Sequence, residues 1–451
     1  MPPKPLTGAN AAPGWPPILT AHLMRLPFAV LSVGGVWLCL PRHSYPTYIL
    51  PAESGASRQD EIFMPAQVSY KELCKACLWL GLTAYGGPAM VGYVREVMVE
   101  RRRWIEPERF KEGLALSQIV PGATLTQVIS YVGLVLKGPA GAGVAAVCFI
   151  LPGALIVLGV SALYFRWQEI PFVQMLSRGV GAVVIAILAY ACVKLAKTSL
   201  PTVSSALIAL AACAAYLVRI NGFLVVIGAA AAAWLLSRKE QTPAASLVAN
   251  QSEIGRVKPW AWGALAVAAC AAVAGIWMVA PVLARLCLAF LGIGSVAFGG
   301  GYSMIPLIQQ QVVDNLGLLS IREFMDGIAL GQITPGPIML TATFIGYAAG
   351  GAFGAFAATA AIFSPSWAIL VAAAPGFQSW SRRRAAHVMI GGIVASFVGM
   401  LLSILVRFGR VTLTDVSSIL LSAVAFIALW SGVDLLLVVS GGLLLSLLLF
   451  R

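Results

Sequence analysis

Two segments of the chain combine a helix-breaking Pro-Gly step with polar side chains. Residues 110–122 and 324–336 are identical at eight of thirteen positions, and each contains a glutamine shortly before the Pro-Gly step. Proline disfavours helical geometry in the residue before it and glycine permits a sharp turn, so each step ends a helix. Exposed backbone N–H groups and amide side chains can bind an oxyanion. The candidate binding residues are Gln118, Pro121, Gly122, Gln332, Thr334, Pro335, Gly336 and Pro337.

A glycine cluster precedes each Pro-Gly segment, at residues 86–88 and at residues 299–301. A helix that restarts after such a break presents N–H groups and the positive end of its dipole, which together form an anion site. Close packing of helices through small residues is the alternative interpretation, because it is common in membranes. The second group of candidate binding residues is Gly86, Gly87, Pro88, Gly299, Gly300 and Gly301.

Three charged residues near these breaks are candidates for proton coupling or anion attraction. Glu112 and Asp326 are matched, meaning that they occupy equivalent positions in the two copies, and a carboxylate near a membrane path can carry protons. Each also lies near the start of its segment, where an acidic residue stabilises a helix N-terminus, and we favour that role. For Arg95 we favour a marker of the cytoplasmic end of its helix over anion attraction.

The elements that must position these residues are membrane helices. The chain has 451 residues, of which 59% are hydrophobic and 10% charged, and its mean hydropathy of +0.89 is outside the soluble range. We predict an all-α polytopic membrane protein with about 12–13 membrane segments, since about 20 apolar residues cross a bilayer. The first half contains apolar segments near 73–98, 110–136, 139–165, 176–196, 201–218 and 222–237. The second half contains them near 286–309, 324–348, 352–374, 388–407, 413–430 and 433–450.

The two copies are expected to be inverted relative to each other. An extra apolar run near 260–280 adds one crossing between six-segment repeats, which reverses the second repeat, as in many secondary transporters. Loop 100–112 holds five Lys and Arg residues and its counterpart 314–326 holds one, which places the first loop in the cytoplasm. Basic residues in later loops of both halves leave the orientation of the later helices open. The predicted domains are an N-terminal extension of uncertain structure (1–63), a first repeat (64–237), a polar linker with a connecting helix (238–280) and a second repeat (281–451).

Several functional classes are disfavoured. The net charge of +13 is better explained by topology signals at helix ends than by nucleic acid. Scattered histidines and cysteines predict no metal site, and Cys74 with Cys77 lacks a second pair, so packing explains it better. No phosphate-binding loop or metalloprotease motif is found, so we predict neither an enzyme nor a cofactor. For residues 1–63, an anchor segment, a disordered extension and a start at Met64 all stay open.

The pattern resembles the chromate ion transporter family over residues 70–451. The motifs that carry the resemblance are Tyr85-Gly-Gly-Pro88, Phe298-Gly-Gly-Gly301 and Gln332-Ile-Thr-Pro-Gly-Pro337. Ala123 replaces the second proline of the motif in the first copy, which predicts two unequal half-sites. The resemblance implies a multi-pass antiporter of the bacterial inner membrane. It would export chromate, driven by the proton motive force, and so confer chromate resistance.

The substrate and the mode of transport have alternatives. Sulfate has the charge and shape of chromate, so backbone amides discriminate poorly between the two. A transporter of sulfate or another tetrahedral oxyanion and a passive anion channel are therefore the competing hypotheses. The expected partners are the transported anion, protons and the lipid bilayer, with no nucleic acid, and a homodimer stays open.

Overall fold

The computed structural model describes residues 28–33, 36–41, 68–83, 85, 89–236, 257–377 and 383–449. The chain divides into two compact units, Met1–Ile62 and Phe63–Arg451. In the first unit, strands β1 (Phe28–Val33) and β2 (Val36–Pro41) pair in antiparallel register. The described part of the second unit is helical, and this confirms the predicted all-α polytopic class.

The helices of the second unit repeat at matched positions. The first half comprises α1 (Tyr70–Thr83), α2 (Ala89–Arg95) with a π-helical turn (Glu96–Arg101), α3 (Pro107–Ile119), α4 (Thr124–Trp167), α5 (Pro171–Ser199), α6 (Val203–Leu217) and α7 (Gly222–Leu236). Helix α8 (Pro259–Val279) follows. The second half comprises α9 (Pro281–Val296), a 3-10 turn (Gly301–Met304), α10 (Ile305–Gln309) with a π-helical turn (Gln310–Asn315), α11 (Ile321–Ile333), a 3-10 turn (Ile338–Leu340), α12 (Thr341–Ala373), a 3-10 turn (Ala374–Gly376), α13 (Arg384–Thr412), α14 (Val416–Trp430) and α15 (Leu435–Leu449). Helices α3 and α11 both have 13 residues, and α5 and α13 both have 29.

Five of the described helices are long and apolar enough to cross a bilayer. They are Thr124–Trp167, Pro171–Ser199, Pro259–Val279, Ile338–Gly376 and Ala385–Thr412. Helix α8 is the connecting helix predicted near 260–280, and none of its residues is buried by the rest of the chain. Its apolar surface is therefore available to lipid.

The first Pro-Gly segment forms the tip of a helical hairpin. A Cβ on Gly113 in α3 would overlap the ring of Tyr131 in α4, so these helices pack side by side on either side of the tip. The chain reverses again at Gly138, where φ is +67°. There Gly133 and Gly141 bring the two backbones into contact. Helix α4 is therefore two antiparallel helices, α4a (124–136) and α4b (139–167).

The second Pro-Gly segment repeats this geometry. Gly327 in α11 lies against Phe344 in α12, and the chain reverses at Gly351, where φ is +59°. The hydroxyls of Thr343 and Thr359 lie 2.8 Å apart across that reversal. Helix α12 is likewise two antiparallel helices, α12a (341–349) and α12b (352–373).

A further hairpin in the second half has its tip at the glycine cluster. Helix α9 runs parallel to α12b, because Leu283 lies near Gly354 while Gly294 lies near Ile362. Helix α11 runs in that same direction, so residues 301–315 between α9 and α11 must run back. Segments 110–136, 286–309 and 324–348, which we expected to be single apolar segments, are thus each built from shorter, reversed helices. Segment 73–98 is divided between α1 and α2 around residues that are largely outside the described part.

Matched long helices run in opposite directions. Gly181, early in α5, lies against Thr412 at the end of α13, and Cys192 of α5 lies 3.9 Å from the carbonyl oxygen of Val398. Helix α4b is similarly antiparallel to α12b. Gly143, near the start of α4b, lies against Trp367, late in α12b, whereas Phe165, near the end of α4b, stacks on Tyr347 beside the reversal at which α12b begins. Each half therefore packs head to tail against the other.

The shorter C-terminal helices of each half pack around the long helix of the other half. Gly399 of α13 meets the backbone of Ala209 in α6, and Gly442 of α15 meets Val183 in α5. Neither glycine has room for a Cβ. The halves consequently share one core and cannot move as separate domains without repacking it.

The close helix contacts predict a specific sensitivity to side-chain volume. Gly346→Val would force a side chain onto the backbone of Gly354 and should destabilise the protein by about 1–3 kcal/mol. Gly228→Val, at a helical glycine with no heavy atom within 4 Å, is the matched control. Thermal unfolding of both variants in detergent measures the difference. Equal melting temperatures would contradict the hairpin packing.

Candidate anion-binding site

The hairpin tips of the two halves meet inside the protein. The N–H of Gly122 donates to the carbonyl oxygen of Ala297 over 2.6 Å, which joins the first Pro-Gly tip to the second glycine tip. The N–H of Ala123 donates to the hydroxyl of Ser366 over 3.2 Å. Across the same region, Gly153 of α4b lies against the carbonyl of Pro335, with no room for a Cβ. Backbone that ends a helix at this depth is therefore covered by protein, as a membrane requires.

Gln127 holds the first Pro-Gly tip in place. Its Nε2 donates to the carbonyl oxygen of Pro121 over 2.7 Å, and it lies 3.4 Å from the carbonyl oxygen of Ser366. The side chain is fully buried. Because the amides of Gly122 and Ala123 are also occupied, the first tip offers fewer free donors than we expected from its sequence.

The second half offers donors that have no acceptor. Among the described residues, the backbone N–H groups of Gly300, Gly301 and Gly336 make no hydrogen bond. The Nε2 of buried Gln332 is also unpaired, while its Oε1 accepts a 3.3 Å hydrogen bond from Tyr302. Gly301 lies against Ile338, so the glycine tip and the Pro-Gly tip of this half are neighbours. Together these groups form a candidate site for an oxyanion.

Backbone conformation explains the glycines at these tips. The φ angles are +145° at Gly122, +80° at Gly299, +99° at Gly300 and +116° at Gly336. A side chain at any of these positions would be strained, whatever space surrounds it. The hydroxyl of Thr334, which we predicted as a ligand donor, instead donates to the carbonyl of Leu330 in its own helix.

The matched glutamines of the two Pro-Gly tips differ in exposure. Gln332 is only 8% exposed, whereas its matched residue Gln118 is exposed. Gly86, Gly87 and Pro88 lie outside the described residues. The second half therefore supplies most of the described donors.

Asp326 is buried, and its predicted role as a helix cap is wrong. Asp326 is only 4% exposed. Its Oδ2 accepts hydrogen bonds from the hydroxyls of Tyr164, at 2.7 Å, and Ser177, at 2.5 Å. The N-terminus of α11 is instead capped by Ser320 together with Glu323. The Oδ1 of Asp326 has no hydrogen-bond partner. A buried carboxylate held by two hydroxyls is a group that can bind a proton.

A cavity of about 220 Å³ lies beside Ser177, one of the two hydroxyl partners of Asp326. It is lined by Ser177 and by two exposed arginines, Arg178 and Arg322, as well as by Asp415. The carboxylate of Asp415 caps α14 through the N–H of Ser418. The cavity is therefore a polar opening that leads towards the buried Asp326.

The other two charged candidates lie in different surroundings. Glu112 is partly exposed and is the sixth residue of α3. No side chain caps the N-terminus of this helix. The guanidinium of Arg95 lies 3.5 Å from the carboxylate of Glu100, at the point where α2 becomes π-helical. This arrangement agrees with a role for Arg95 at the end of its helix. Among the described residues, no group of three His, Cys, Asp or Glu side chains comes together to hold a metal ion.

Comparison with known proteins identifies the chain's relatives. The family model described as chromate transporter matches residues 71–235 and 284–447. The chain belongs to the chromate transporter family. The two matches coincide with the two halves of the fold, so the family module is present twice.

Individual relatives agree with this assignment. An uncharacterized transporter of Methanocaldococcus jannaschii is 32% identical over 370 residues, covering 82% of this chain and 92% of that protein. A chromate transport protein of Cupriavidus metallidurans is 30% identical over 365 residues, covering 78% and 86%. One of Pseudomonas aeruginosa with the same description is 29% identical over 387 residues, covering 81% and 89%. No solved structure matches the chain.

The contacts of Gln127 predict how the first tip behaves in solution. Gln127→Ala removes the donor to Pro121 and should increase amide hydrogen exchange at Val120, Gly122 and Ala123 about tenfold, because the tip then opens more often. Gln174→Ala, on the exposed start of α5, is the control and should leave exchange at the tip unchanged. An unchanged rate in the Gln127 variant would show that its amide does not hold the tip.

Proposed function

We propose that this member of the chromate transporter family is a secondary active transporter that exports chromate from the cytoplasm across the bacterial inner membrane. The observation that carries the proposal is the meeting of broken hairpins from two antiparallel halves, where the partly exposed backbone N–H groups of Gly300, Gly301 and Gly336 and the buried amide of Gln332 have no acceptor. Such sites at a repeat interface are typical of secondary transporters. Relatives described as chromate transport proteins support the substrate.

We further propose that the halves are inverted repeats in the membrane. Support comes from the antiparallel packing of α5 on α13 and of α4b on α12b. Under this arrangement Lys194, late in α5, and Arg383, before α13, lie at the same end of the bundle as the basic loop 100–112. Arg178, Arg322, Arg407 and Arg410 lie at the other end, but the end with loop 100–112 holds more basic residues, and the positive-inside rule places the more basic end in the cytoplasm.

The driving force is consistent with export. Moving one elementary charge across a membrane potential changes its energy by about 2.3 kcal/mol per 100 mV. The energy of a divalent anion therefore falls by about twice this amount when the anion leaves an electrically negative cytoplasm. The site binds it through dipoles rather than a fixed positive charge, so binding does not prevent release.

We propose Asp326 as the proton-coupling group. Its hydroxyl partners Tyr164 and Ser177 have no polar equivalents in the other half, where the matched residues are Phe377 and Ile390. The repeat architecture therefore does not require this cluster, which favours a functional reason for it. The matched Glu112 is more exposed and less suited to the role.

Substitutions in the Pro-Gly steps and the glycine clusters test the proposed anion site. Gly300→Val, Pro121→Ala and Pro335→Ala should each abolish uptake of labelled chromate into inverted membrane vesicles, because each changes the backbone of a tip. Gly87→Val, at the matched glycine of the first cluster in the sequence, should have the same effect. Gly228→Val is the control for a harmless helical substitution. The variant proteins should still be found in the membrane. Normal uptake in all four breaker variants would remove the site assignment.

A second prediction concerns proton coupling. Asp326→Asn keeps the size of the side chain and its hydrogen bonds but cannot titrate, so uptake should lose its dependence on the pH gradient. Asp415→Asn, which changes a carboxylate that caps α14 nearby, is the matched control. If an uncoupler changes uptake by the Asp326 variant as much as it changes uptake by the unmodified protein, this role is ruled out.

A passive anion channel is the second candidate function, because the broken hairpins and polar lining also suit a pore. Accumulation of chromate in vesicles above the external concentration separates the two, since a channel only equilibrates the anion with its electrochemical gradient. The assay must therefore be run with the membrane potential clamped at zero and a pH gradient imposed. Excess sulfate in the same assay tests whether the site distinguishes tetrahedral oxyanions.

A further inference from the structure

One half of the protein holds an ion pair between the end of a hairpin and a long helix. The guanidinium of Arg407 on α13 donates to both oxygens of Asp314, each over 2.9 Å. The two side chains are only 21% and 16% exposed. Asp314 belongs to the π-helical turn Gln310–Asn315, so the pair fastens the α9–α10 hairpin to α13.

The other half carries the same two charges at matched positions but leaves them apart. Lys194 on α5 matches Arg407, and Glu100 in the π-helical turn Glu96–Arg101 matches Asp314. Glu100 is 54% exposed and lies 3.5 Å from Arg95, while the Nζ of Lys194 lies 5.5 Å from the ring centre of Tyr190. Both members of this second set are accessible to water.

Neighbouring features share the same asymmetry. Gln332 is buried where its matched residue Gln118 is exposed. Helix α10 packs against α13, and in the described part of the chain the matched helices α2 and α5 make no comparable packing. The half that contains the Asp314–Arg407 ion pair is therefore packed more tightly around its tips.

We infer that Glu100 and Lys194 form the second ion pair in an alternate state in which the Asp314–Arg407 pair is broken. This inference rests on the proposed function as a carrier. Antiparallel halves that exchange conformations turn a protein closed at one end into a protein closed at the other. The two pairs then act as alternating positioning contacts at opposite ends of the site, and Arg95 holds Glu100 while its own pair is open.

Cross-linking between introduced cysteines tests this exchange in membranes. The pair Glu100→Cys with Lys194→Cys is treated with a short bifunctional thiol reagent, alone and together with Asp314→Asn and Arg407→Gln. The two neutral substitutions break the closed pair without leaving a buried charge unpaired. They should raise the rate of cross-linking about fivefold or more, because the alternate state becomes more populated. Arg410→Gln in place of the neutral pair is the control, since Arg410 also lies late in α13 and has no ion-pair partner among the described residues.

Three further measurements keep the outcome unambiguous. Protein without introduced cysteines reports any reaction of native thiols, and Lys197→Cys paired with Glu100→Cys reports non-specific reach. Asp314→Cys with Arg407→Cys should cross-link readily in otherwise unmodified protein, which verifies the closed pair. An unchanged rate for the Glu100–Lys194 cysteines when the closed pair is broken would overturn the inference. If chromate uptake by unmodified protein is observed at the same time, the proposed function survives that failure.

Discussion

The structure depends on one constraint: backbone that leaves a helix inside a bilayer must be covered by protein or line a water-filled cavity. The Pro-Gly and glycine tips interrupt their helices where lipid could not satisfy the freed N–H and C=O groups. The halves solve this problem for each other, since Gly122 of one half bonds Ala297 of the other and Ser366 receives the next amide. The amides left over at Gly300, Gly301 and Gly336 are the backbone donors that we propose bind the anion.

The same constraint explains why the halves are intertwined. Long helices α4b and α12b cross next to the tips of the opposite half, through Gly153 and Ser366, which occupy matched positions. Helices α6, α7, α14 and α15 complete the cover by packing around the opposite long helix. Each copy therefore supplies part of the wall that covers the tips of the other copy.

The sequence predicted the features that depend on local pattern. Composition and apolar length predicted the helical membrane class and helix α8, and the repeated breakers predicted where helices stop. Whether a Pro-Gly step kinks a crossing or reverses it could not be predicted, since the same backbone preferences allow both. The burial of Asp326 was missed because its partners Tyr164 and Ser177 are 162 and 149 residues away in the chain. Ser366 and Tyr302 were missed for the same reason, because only tertiary packing brings them to the tips.

The proposed transport mechanism requires the two halves to face opposite sides of the membrane. The most direct test of this requirement is labelling of Arg101→Cys and Asn315→Cys, two exposed and matched positions that each end a π-helical turn. A membrane-impermeant thiol reagent is applied to intact spheroplasts and to inverted vesicles. We expect the cysteine at 315 to be labelled only in spheroplasts and the cysteine at 101 only in inverted vesicles. Labelling of both positions from the same side would contradict this orientation.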